Sequence, residues 1–85
     1  MIAYSVFLAS GVVELLPGLK LRERTQLMRL FNRFRSDPFV EGDYTERDDI
    51  GRLMQVLVVG RHAIDFWVDH AVKEVKVLDL RPAGS

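Results

Sequence analysis

The chain has 85 residues, 48% of them hydrophobic and 28% charged, with twelve bases balanced by twelve acids and no cysteine. This length fits one domain, residues 1–85, with a thin core. The composition excludes disulfides, thiolate metal centres and cysteine nucleophiles, suits a reducing, cytoplasmic setting, and provides no overall field to draw in nucleic acid.

The charge is unevenly spread. Met1 to Ser36 carries a net +4, Asp37 to Ile50 a net −5, and the remainder +1. Nine of the twelve bases are arginine, the better fork for phosphate or carboxylate.

Ile2 to Leu8 alternates Ile2, Tyr4 and Val6 with Ala3, Ser5 and Phe7, which predicts a strand covered on at least one face. The segment is too short to span a membrane and has no basic residues before it, so it is a poor signal peptide. Ser10 is the expected N-cap of a short helix from Gly11 to Leu16, ending at the turn pair Pro17-Gly18.

A second helix is predicted from Lys20 to Arg35. Leu27, Leu30, Phe31 and Phe34 form one apolar stripe at i, i+3, i+4 and i+7, with Arg22, Gln26, Arg29 and Arg33 opposite. Asp37-Pro38 stops it, because the residue before a proline avoids the helical region. Phe39 to Ile50 is acidic and polar and is expected to be a mobile loop.

Three strands should follow. Arg52 to Val59 is nearly continuously apolar and is broken by Gly60. Arg61 to Asp69 alternates, with His62, Ile64, Phe66 and Val68 on one face and Arg61, Ala63, Asp65, Trp67 and Asp69 on the other. Glu74 to Leu80 carries Val75, Val77, Leu78 and Leu80. The expected fold is therefore α+β, a helical hairpin packed on a four-stranded antiparallel sheet in the order β-α-α-β-β-β.

Several stretches carry a family resemblance. They are Tyr4-Ser5-Val6-Phe7, the arginine-rich second helix ending Ser36-Asp37-Pro38-Phe39, Gly60 followed by Ile64-Asp65-Phe66-Trp67-Val68, and the closing Val75-Lys76-Val77-Leu78-Asp79-Leu80-Arg81. Over almost its whole length the chain resembles the RelE/ParE superfamily of bacterial type II toxin–antitoxin toxins. The resemblance implies a toxin silenced by a cognate antitoxin, acting either by cleaving ribosome-bound messenger RNA or on DNA gyrase. It implies no metal or other cofactor: bases stabilise the charged phosphorane and an acid–base group moves the protons. On this alignment the family's middle-strand arginine falls at Ala63, with Arg61 two residues earlier. Its arginine after the last strand falls near Ala83, and Arg81 stands close by.

The candidate site is Arg52, Arg61, His62, Trp67, His70 and Arg81. Arg61, Arg81 and His70 are the candidate catalytic groups, and Arg52, His62 and Trp67 the candidate RNA contacts. An arginine beside an aromatic can clamp a phosphate and stack a base. The competing reading pairs Arg61 with Asp65, puts Trp67 under the acidic loop, buries His62 as a hydrogen-bonded core residue and leaves His70 solvated in its turn. Arg22, Arg29 and Arg33 could hold an antitoxin tail or phosphate, form a solvated face, or receive the acidic loop folded back. Asp43, Glu46, Asp48 and Asp49 lack the spacing and glycine of a calcium loop, so no metal is expected.

Overall fold

The computed structural model describes residues 3–84. Its elements are β1 (Ser5–Leu8), α1 (Ser10–Leu15), a 3₁₀ turn (Leu16–Gly18), α2 (Leu21–Ser36), β2 (Tyr44–Arg47), β3 (Leu53–Val59), β4 (His62–Asp69) and β5 (Glu74–Pro82). The sheet has five strands in the order β1-β5-β4-β3-β2. The expected strand position Ile2 lies outside the described residues.

The architecture is α+β as expected, but the sheet differs from the expectation in two respects. Part of the presumed mobile loop is the edge strand β2, so there are five strands rather than four. The sheet is also mixed: β1 runs parallel to β5, while every other pair is antiparallel. The two corrections share one cause. The added strand inserts one more chain reversal between the helices and β3, which flips every later strand and brings β5 back parallel to β1.

On one face of the sheet, α2 buries Leu27, Leu30, Phe31 and Phe34, the predicted stripe, and α1 buries Val12. They close over Ile64, Phe66, Val75, Val77 and Leu80. The rings of Phe34 and Phe66 sit 4.8 Å apart at the centre of this layer. The N-cap of α1 is Ala9, and Ser10 is instead its first helical residue. At the other end of the helical pair, Asp37 closes α2 through its amide to the Arg33 carbonyl (2.8 Å). Its carboxylate then accepts the Phe39 amide, turning the chain away ahead of the sheet.

β2 has no apolar face; all four of its residues are exposed. It is anchored at both ends by polar contacts. Before it, the Gly42 amide donates to the Gln55 side chain (2.7 Å), and the Asp43 carboxylate accepts from the Val58 amide (2.7 Å). After it, the Asp48 carboxylate accepts from both the amide and the Nε of Arg52, around a turn whose Gly51 has φ +82°.

A bulge interrupts the β4–β5 ladder. Asp65 faces Asp79 and Phe66 faces Val77, leaving Leu78 as an extra residue on β5. Strict alternation from Val75 and Val77 would send Arg81 under the helices. The extra residue shifts the phase by one, so Leu80 joins the core and Arg81 turns to the opposite face, across from Ala63.

Candidate functional site

The face of the sheet away from the helices carries a charged centre on β2, β4 and β5. Arg81, delivered there by the bulge, donates through Nη2 to the Asp65 carboxylate (2.9 Å) and the Glu46 carboxylate (3.2 Å). Asp65 is the more enclosed partner, its side chain 18% exposed against 35% for Arg81 and 43% for Glu46. Burial pushes the Asp65 carboxyl above its usual range; the Arg81 charge and hydrogen bond offset this only in part, and the neighbouring Asp79 and Glu46 add to it. For Arg81, burial opposes the charge, but the two carboxylates outweigh it and hold the guanidinium more firmly protonated than usual.

Beside this centre, Trp67 lies between two cations. The Arg52 guanidinium is 5.2 Å and the Lys76 ammonium 4.9 Å from its ring centroid, both within cation–π range. Each cation is also paired, Arg52 with Asp48 at 2.9 Å and Lys76 with Asp69 at 3.3 Å. Burial opposes ionisation of Asp48, but hydrogen bonds from Arg52 and Ile50 and the Arg52 charge hold its carboxyl below the ordinary range. Trp67 Nε1 and Arg81 Nε are enclosed without hydrogen-bond partners. Buried donors left unpaired in this way are uncommon and costly.

The six candidate residues therefore do not form one cluster. Arg52, Trp67 and Arg81 share the open face. Arg61 sits in the tight turn after Gly60 (φ +60°) and faces α2, beside Lys20, Arg22, Glu23 and Gln26. Asp65 pairs with Arg81, so the expected Arg61–Asp65 pair does not form. His62 is on the helix side, half-buried, with Nδ1 3.3 Å from the Glu23 carboxylate, whereas its alternation with Ile64 and Phe66 suggests a buried, hydrogen-bonded core residue. His70, in the β4–β5 turn, is held rather than merely solvated: Nδ1 hydrogen-bonds with the Tyr4 hydroxyl at 2.7 Å, and Phe39 stacks on the ring at 5.3 Å.

The acidic segment does not fold back onto Arg22, Arg29 and Arg33. Its ion pairs among the described residues go to Arg52 and Arg81, and Arg33 meets only Asp37, at 3.9 Å on the surface. Trp67, beside Arg52 and Lys76, lines a depression together with Phe39, Val40 and Glu41 of that segment. Sequence reasoning missed Glu46, Lys76, Tyr4 and Phe39. Lys76 carried a signal, since it stands between Val75 and Val77 and so had to face away from the core. Glu46 became legible only once its segment was known to be a strand.

No protein-family model matches the sequence, and no curated protein matches it. The structure, however, is similar to several solved ones. It superposes on a chain of the archaeal RelE–RelB complex from Pyrococcus horikoshii OT3 with a TM-score of 0.81 at 18% identity, covering 96% of this chain and 97% of that one. It matches a chain of the toxin–antitoxin complex RelBE2 from Mycobacterium tuberculosis at 0.75 and 16%, covering 95% and 99%. It also matches a doubly arginine-to-alanine substituted E. coli toxin RelE in the free state at 0.70 and 13%, covering 95% and 84%. The chain has a RelE-like fold. Among the described residues no helix is long and apolar enough to cross a membrane.

Proposed function

We propose that the chain is the toxin of a toxin–antitoxin pair, silenced by a cognate antitoxin and inhibiting translation by cleaving messenger RNA on the ribosome. The observation that carries this reading is the likeness to one chain of each of two RelE–RelB-type complexes, over nearly the full length of this chain and of that one. The open sheet face supports it, offering an arginine, an aromatic flanked by cations and an enclosed carboxyl in one place. Arg81 would steady the extra negative charge of a phosphorane. Trp67 would stack a base between Arg52 and Lys76. Asp65, its carboxyl pushed above the usual range by burial, adds a proton-transfer group there.

A second reading has its own support. Arg81, Arg52 and Lys76 are all neutralised by carboxylates of the same chain, which suits a protein that acts through binding alone, on gyrase or another protein target. Induced expression in a bacterial host, following growth and mapping messenger RNA ends, separates the two. Growth arrest with new cuts that disappear in Arg81→Ala supports the nuclease. Arrest with intact messages supports the binding protein. Normal growth with folded protein refutes the toxin reading.

A further inference from the structure

The Arg52, Lys76 and Arg81 cations of the sheet face are paired; several on the opposite side have no such partner among the described residues. Lys20, Arg22, Arg29 and Arg61 have no carboxylate within ion-pair distance among the described residues, and they lie along one surface. A depression of about 290 Å³ is lined by Lys20, Arg22, Glu23, Gln26, Gly60 and Arg61. It adjoins a second that includes Arg29 and shares Arg22 and Gln26 with the first. Together they make a trough running from the β3–β4 turn along the outer face of α2. Arg22 and Arg29 stand seven residues apart, about 10 Å along the helix axis.

The one acid in the trough, Glu23, lies 3.3 Å from His62 Nδ1 and forms no ion pair with a lysine or arginine among the described residues. The acids of the 41–49 segment are on β2 and its flanking turns, at the far edge of the sheet. The near-zero net charge of the chain thus conceals a separated charge distribution, with a free basic surface on one side and a neutralised face on the other.

We propose that this trough binds a nucleic-acid strand through its phosphates, without reading sequence, and that Arg61 is a docking residue of this surface. Guanidinium groups reach the first depression from two elements, Arg22 from α2 and Arg61 from the turn, an arrangement that grips a phosphate from two sides. No apolar side chain lines that depression, and Leu21 is the single one in the second. A peptide partner would need an apolar anchor seated there, whereas a phosphate backbone needs only charge and donors.

The test uses the purified chain and a labelled single-stranded 2′-O-methyl oligoribonucleotide, which resists cleavage, so binding is read whether or not the protein is a toxin. Neutralising about three phosphates gives a log–log salt slope near −2. The triple variant Arg22→Gln, Arg29→Gln, Arg61→Gln should bind at least tenfold more weakly with a nearly flat salt dependence, while Arg47→Gln with Lys73→Gln, which removes two charges outside the trough, should stay within twofold of the parent. The triple arginine-to-lysine variant, which keeps the charges, should recover the slope and show that the glutamine variant's loss is not one of folding. Parental affinity in the triple glutamine variant would overturn the proposal. So would an equal loss of binding in the Arg47→Gln, Lys73→Gln variant, or displacement by polyglutamate at equal charge concentration, which would make the surface a peptide site.

Discussion

Removing Arg81 tests the electrostatics of the open face most directly. In Arg81→Ala the Asp65 carboxylate, 18% exposed, loses the guanidinium that both hydrogen-bonds and neutralises it. An enclosed acceptor left unsatisfied costs roughly 1–3 kcal/mol. Arg81 is itself 35% exposed and Glu46 43% exposed, so water screens part of the loss and we expect about 1–2 kcal/mol at neutral pH. In a domain of this size that lowers the melting temperature by roughly 5–15 °C. Adding Asp65→Asn removes the stranded charge, so the double variant should recover most of that loss.

The pH dependence gives an independent check. Asp65 has a folded-state pKa raised above 3.8, so the native chain holds this proton more tightly than the unfolded one. Its stabilising contribution is complete below the unfolded value and is lost as pH rises through the folded value. Relative to Asp65→Asn, the parent should lose stability upward from pH 3.8, and the penalty of Arg81→Ala should shrink toward and below that pH. Urea melts of the four proteins across the acid range measure both effects. Equal losses in Arg81→Ala and the double variant, or a penalty for Arg81→Ala that grows on acidification, would refute this account of the pair.

Four further variants follow from the packing. Phe34→Ala empties a fully buried site against Phe66 and should cost about 3–5 kcal/mol, read from the urea midpoint. Gly42→Ala places a Cβ 2.6 Å from the Val56 carbonyl oxygen; since backbone cannot move aside cheaply, the expected cost is about 1–3 kcal/mol, with faster hydrogen exchange at the Asp43 and Val58 amides. Gly18→Ala, where nothing lies within 4 Å, should show neither effect. Deleting Leu78 should leave a regular strand in which every remaining residue keeps its present face. The variant should fold with a loss of about 1–2 kcal/mol for the half-buried leucine, and circular dichroism melts would expose an unfolded product.

Much of the fold was legible because the apolar periods were clean. Leu27, Leu30, Phe31 and Phe34 fixed both the existence of α2 and the face it buries, and Ile64 and Phe66 fixed the core side of β4. β2 was not legible because Tyr44-Thr45-Glu46-Arg47 has no apolar alternation. It is held by contacts from Gly42, Asp43 and Asp48, which no pattern within the strand announces, and missing it also reversed the direction expected for β1 relative to β5. The candidate site failed at two points for separate reasons. Arg61 shares a two-residue phase with Asp65 and Trp67, but it lies in the turn before the strand begins, where the pleat does not set direction. Arg81 lies on the open face with Asp65 and Trp67, although simple alternation points it toward the core. Only the extra residue in Val77-Leu78-Asp79-Leu80 turns it outward, and nothing in that run marks a bulge.

The parallel pairing of β1 with β5 joins the two ends of the chain, since Ser5 is in register with Glu74. During synthesis β1 and both helices emerge long before their partner strand, and the apolar stripe of α2 stays uncovered in that interval. Contacts this distant in sequence slow folding and leave the waiting segments open to capture by other molecules. A protein that binds the nascent or newly finished chain at that stage would meet an exposed helix surface that the completed sheet later hides. The topology thus opens a period in which the newborn polypeptide can be intercepted before its sheet face is assembled.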